Sequence, residues 1–137
     1  MFKYVKTLNA ASGGIETEFF PVSDKDTLAQ GSVCQLSGGY LKSVITDGAS
    51  KFVTLDEKVA GDGKKKLACM RVLPGMIFET LYTGDMTMIY PGSTLNFETS
   101  TSTGITELRP ETAKYAEIVN CAEYDENYST LLITIHI

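Results

Sequence analysis

The chain has 137 residues, 43% of them hydrophobic and 21% charged, which is the composition of one folded domain able to build a core without metal or disulfide staples. A net charge of −5, with Arg71 and Arg109 the only arginines, argues against nucleic acid as a partner, because phosphate binding draws its affinity from clustered Lys and Arg. No run approaches the roughly 20 apolar residues that cross a bilayer, and the first eleven residues hold no apolar stretch long enough for a signal peptide, so neither membrane nor secretion is expected.

The chain has no Trp, twelve Gly and many Thr, Val and Ile, and this predicts an all-β fold of strands joined by tight turns. Met1 to Gly14 reads as an arm, with apolar residues at Phe2, Tyr4 and Leu8 ahead of an Ala10-Ala11-Ser12-Gly13-Gly14 hinge. Such an arm can add a strand to a neighbour's sheet or form an edge strand of its own, and both readings stay open. Residues 15–137 form the single domain that follows.

Ile15 to Val22 predicts a strand that stops near Pro21, where no ladder N–H is required. Ser32 to Leu36 and Tyr40 to Ile45 flank Ser37-Gly38-Gly39 and predict a hairpin with positive-φ residues at its turn. Phe52 to Leu55 predicts a short strand, partnered by the strand after the Gly61-Asp62-Gly63 turn. Lys66 to Leu73 and Met76 to Tyr82 are split by Pro74-Gly75, so that one strand becomes two or turns a corner.

Tyr90-Pro91-Gly92 marks a turn, Thr94 to Thr99 a strand, and Ser100 to Gly104 a mobile polar loop tip. Near the end, Tyr115 to Ala122 and Ser129 to Ile137 bracket Glu123 to Asn127. Glu111 to Ile118 has an alternative as a short helix behind Pro110. In the last strand Leu131, Ile133, Ile135 and Ile137 face one way, while Leu132, Thr134 and His136 face the other. Turn signals at this spacing predict a small β-barrel or β-sandwich.

The residues that carry chemistry are sparse. Cys34, Cys69 and Cys121 are widely spaced, with no CxxC and one histidine in the chain, which disfavours zinc and predicts buried free thiols in a reducing compartment. His136 is a single histidine on a strand face and lacks the neighbours of a hydrolase triad. The carboxylate groups Glu16/Glu18, Asp24/Asp26, Asp56/Glu57 and Glu123/Asp125/Glu126 read as solvated faces and turns. Neither Asp24-Lys25-Asp26 nor Asp56-Glu57 has the ligand spacing of a calcium loop. Gly61 to Lys66 lacks the spacing of a phosphate loop. Asn127-Tyr128-Ser129 fits the glycosylation pattern, which carries meaning only on a secretory route. No catalytic residue, metal or cofactor is therefore expected, and the aromatic residues near turns and in the arm, Phe2, Tyr4, Tyr40, Tyr82, Tyr90, Tyr124 and Tyr128, serve either a barrel end or an interface.

One resemblance joins several of these stretches. The Gly31-Ser32-Val33-Cys34-Gln35-Leu36 strand with its Ser37-Gly38-Gly39 turn comes first, then Phe52-Val53-Thr54-Leu55-Asp56. Val72-Leu73-Pro74-Gly75-Met76-Ile77-Phe78-Glu79-Thr80, Tyr90-Pro91-Gly92-Ser93-Thr94-Leu95 and Ala116-Glu117-Ile118-Val119 follow. From Ala29 onwards the chain resembles the small β-barrel proteins encoded beside tailed-phage major capsid proteins, the head decoration or cement class.

The resemblance implies a protein that does no chemistry and binds the outer surface of the major capsid protein lattice, stabilising the head. It implies a virion location on the capsid exterior after synthesis in the bacterial cytoplasm, with self-association into a trimer or other homo-oligomer as a further option. Phe2, Lys3, Tyr4, Val5 and Leu8 of the arm are the residues expected to touch the capsid. The alternatives are another virion module, such as a tail, neck or baseplate β-sandwich, and a small β-barrel ligand binder or enzyme.

Overall fold

The computed structural model describes residues 1–8, 15–84, 87, 89–110, 115–124 and 129–136, with the backbone alone described at 120–124 and 129. The hinge at Ala10 to Gly14, the Glu111 to Lys114 part of the helix alternative, the Asp125 to Asn127 turn, Tyr128 and Ile137 lie outside the described residues, as does the Tyr124 side chain. Among the described residues every regular element longer than one residue is a strand, and no helix is long and apolar enough to cross a membrane.

The described residues form thirteen strands: β1 (Lys3–Thr7), β2 (Thr17–Pro21), β3 (Thr27–Leu28), β4 (Val33–Ser37), β5 (Tyr40–Lys42), β6 (Lys51–Thr54), β7 (Val59–Ala60), β8 (Lys66–Arg71), β9 (Met76–Tyr82), β10 (Thr94–Thr99), β11 (Thr106–Arg109), β12 (Ala116–Tyr124) and β13 (Ser129–Ile135). They form a six-stranded sheet in the order β1-β9-β13-β12-β10-β11, a five-stranded sheet in the order β2-β8-β6-β4-β5, and the β3-β7 ribbon. All ladders are antiparallel, and one parallel bridge, Val22 to Leu41, draws the margins of the five-stranded sheet together. The fold is all-β and sandwich-like, without a closed barrel.

The inner strands of the five-stranded sheet, β4, β6 and β8, are buried on both faces. One row of cross-strand partners, Val33, Val53 and Met70, faces the six-stranded sheet, while the next row, Cys34, Phe52 and Arg71, points the other way. The first face joins Phe78, Leu131, Ile133 and Ile118 in the main core. The second closes a smaller core with Leu28, Val59, Leu67 and Cys69 beneath the β3-β7 ribbon. A sheet covered twice buries consecutive residues, as Val33 to Gln35 on β4, Lys51 to Thr54 on β6 and Leu67 to Met70 on β8 show.

Turn chemistry sets the corners. Ser37 pairs Tyr40 across Gly38 and Gly39, whose φ angles of 60° and 85° are those of a two-residue type I′ hairpin. At Pro74-Gly75 the chain leaves the five-stranded sheet and enters the six-stranded one, so this dipeptide is a corner between layers. The Ser100 to Gly104 segment differs from a free loop tip. Gly104 is buried at φ +71°, and a Cβ there would lie 2.7 Å from the Thr27 carbonyl oxygen and the Ala29 nitrogen. The Ala29 N–H donates to the Gly104 carbonyl at 3.0 Å, and the Val33 N–H donates to Thr106 Oγ1 at 3.0 Å, which pins this turn to the other layer.

The first eight residues are not a free arm. β1 pairs with β9 through Lys3–Glu79 and Tyr4–Phe78, with a bulge between Tyr4 and Lys6, and so forms an edge strand of its own sheet. Main-chain bonds secure both ends, from the Phe2 N–H to the Gly31 carbonyl and from the Leu8 N–H to the Gly75 carbonyl.

Candidate interaction surface

The five expected capsid contacts separate by burial. Phe2 is only 2% exposed and stacks edge-on against Phe97 at 5.5 Å, so its side chain holds the strand to the body and is shielded from any partner. Tyr4 is half-buried, edge-on to Phe78, with its hydroxyl 2.7 Å from Thr7 Oγ1. Lys3, Val5 and Leu8 are exposed. The physical reason is alternation. In a strand beside an open sheet margin, every second side chain must enter the core once the neighbouring ladder forms.

β1 lies at the margin of one sheet and β2 at the margin of the other. Beside them runs an apolar groove of about 380 Å³, lined chiefly by Met1, Phe2, Tyr4, Ile15, Leu55 and Met70. Ile15 at its lip is exposed, and further along β2 Phe19 is 59% exposed. Phe19 has a readable signature in the sequence, because adjacent residues of a strand point to opposite faces. With Phe20 packed edge-on against Phe52 in the smaller core, its neighbour Phe19 lies on the opposite face, which is left uncovered at this edge strand.

The titratable groups have structural partners. His136 is exposed, with Nε2 3.2 Å from Glu117 Oε2. Arg71 forks onto Glu18 at 2.9 and 2.8 Å and lies over the Phe52 ring at 4.9 Å, and this pairing holds the Glu18 carboxyl below its usual range. Asp26 accepts the Ser43 N–H and hydroxyl at 2.9 and 2.6 Å, and Asp56 accepts the Ala68 N–H at 2.8 Å. Among the described residues no group of three or more His, Cys, Asp or Glu side chains is placed to hold a metal ion.

Cys34 and Cys69 are free and buried in the smaller core, where burial pushes the Cys34 thiol well up and the Cys69 thiol up to about 12. Neither forms a reactive thiolate near neutral pH. The Cys121 side chain lies outside the described residues. Of the aromatic candidates, Tyr82 is buried, while Tyr40 and Tyr90 are exposed at turns.

A second cavity, of about 460 Å³, opens between the end of β9 and β11, with Thr80, Tyr82, Thr106, Glu107 and Arg109 among its lining. No family model, curated protein or solved structure matches this chain.

Proposed function

We propose that the protein is a structural component of a tailed-phage virion, a decoration protein that docks on the outer surface of the major capsid protein lattice and stabilises the head. The resemblance from Ala29 onwards suggests the class. The observation that carries the docking is the exposed apolar set along the two sheet margins: Val5 and Leu8 on and after β1, Ile15 before β2, where it lines the apolar groove, and Phe19 on β2. Scattered apolar residues are ordinary on a surface, but an exposed aromatic on an edge strand is the kind of side chain that anchors a protein interface.

A specific contact buries roughly 1,200–2,000 Å² in total. That area is within reach of a 137-residue body that presents a whole edge to its partner. The acidic net charge suits a position outside the shell, away from packaged DNA.

The test is co-sedimentation of the purified protein with undecorated, expanded heads. Saturable binding at a fixed ratio to the capsid protein is expected. Failure to co-sediment, or assembly of the free protein into long tubes as a tail component would, overturns the proposal.

A further inference from the structure

Residues 15–71, which supply all of the five-stranded sheet, hold eight Lys and Arg against eight Asp and Glu, and several of these cations are gathered at one end. A polar cleft of about 500 Å³ is lined by Lys25, Tyr40, Lys42 and Lys64 together with Asp24 and Asp62, and Lys65 and Lys66 follow directly in the chain.

The cleft is a built surface. Asp62 Oδ1 accepts the Lys64 and Lys65 N–H groups at 2.8 and 2.7 Å, Gly63 donates to the Val22 carbonyl at 2.9 Å, and Asp26 holds Ser43 beside Lys42. The carboxylates therefore fix the loops that carry the lysines. Among the described residues the ion pairs Glu18–Arg71, Glu98–Arg109, Glu107–Arg109 and Glu117–His136 draw on the arginines and the histidine rather than on the cleft lysines.

A complementary feature sits on the other layer. Glu98 and Glu107 are direct cross-strand partners on β10 and β11, the outermost pair of the six-stranded sheet. Like charges placed opposite each other destabilise a ladder. Both reach Arg109, at 2.7 and 3.0 Å, and the three side chains together keep one net negative charge at an exposed margin.

We infer that the lysine cleft of one copy receives the Glu98/Glu107 margin of a second copy, so that the protein self-associates through a heterologous, charge-steered contact. Nucleic acid is the poorer occupant. Neither arginine lies in the cleft, two aspartates do, and the chain as a whole would repel a polyanion. Exposed ion pairs are individually weak, so the contact is expected to be short-lived in free solution and strongly dependent on ionic strength. The inference concerns the free protein and stands apart from capsid docking.

Sedimentation velocity of the full chain tests it, run over a concentration series in about 0.02 M and about 0.5 M salt. Dimers and small closed oligomers are expected at low salt, weakened at least tenfold at high salt. K25E/K64E and E98K/E107K should each abolish association, and an equimolar mixture of the two should restore a one-to-one complex. Circular dichroism verifies folding, and K25Q/K64Q replaces the reversal if that variant fails to fold.

A strict monomer at low salt, or association indifferent to salt and to lysine reversal, overturns the inference. So does heparin binding at the cleft without self-association, which would assign the cleft to a polyanion.

Discussion

The two cores differ in how they are enclosed. The main core lies between two full sheets and gathers side chains from β4, β6, β8, β9, β12 and β13. The smaller one lies on the far side of the five-stranded sheet, under a ribbon of only two residues per strand. The shared sheet couples them, since Phe52 and Val53 are neighbours in β6 and face opposite cores. The lesson is that the small core borrows its stability from the large one and should not unfold separately.

The sharpest way to break this view is to empty each core in turn. Phe52→Ala and Phe78→Ala should each cost about 3–5 kcal/mol, as for other buried aromatic truncations, because both side chains are fully buried. Thermal unfolding followed by both far-ultraviolet circular dichroism and tyrosine fluorescence should show one coincident transition for either variant. Separate transitions for Phe52→Ala would show that the cores are independent.

The joint between layers gives the next effect. Gly104→Ala should cost at least about 1–3 kcal/mol from its left-handed backbone alone, with the contact against Thr27 and Ala29 added. Gly38→Ala meets nothing within 4 Å and should cost less. Denaturant midpoints of the two variants measure the difference directly.

Lys51 sharpens the comparison through charge. It is buried, donating from Nζ to the Ala49 carbonyl at 3.3 Å and lying 5.2 Å over the Tyr115 ring. Burial lowers its pKa below 10.5, partly offset by Asp47. The unfolded chain then binds the proton more tightly, so this group's contribution to stability rises as pH climbs through the lowered value towards 10.5. Lys51→Met should remove that rise and raise the melting temperature at neutral pH, which melting curves across alkaline pH would reveal.

The smallest effect belongs to Glu18→Gln, under about 1 kcal/mol for a partly exposed pair. Because the Glu18 pKa is lowered below 4.5, its contribution is complete above that value and is lost as pH falls through the folded-state value. Acid titration of wild type and variant should converge at low pH.

The turns and the last strand were legible because their signals are local. Gly38-Gly39, Pro74-Gly75 and the alternation from Leu131 to His136 all fall where the residues place them, with Leu131, Ile133 and Ile135 buried and His136 exposed. Longer-range facts were hidden. β11 is four residues of mixed polarity, β3 and β7 are two each, and nothing local marks Gly104 as docked on Ala29. Phe2 and Leu8 look alike as arm residues, yet one fills the core beside Phe97 and the other lies outside, a distinction made by the β9 ladder. Phe19 was readable from its neighbour Phe20, provided that β2 was recognised as a margin.

Docking through the β1 and β2 margins is tested most directly by titrating undecorated expanded heads with wild type, Phe19→Asp and Tyr90→Asp. Both residues are exposed, so neither substitution should disturb folding. Wild type and Tyr90→Asp are predicted to saturate alike, while Phe19→Asp loses about thirtyfold in affinity or more, the effect of removing one anchor. Equal saturation by Phe19→Asp would contradict the account.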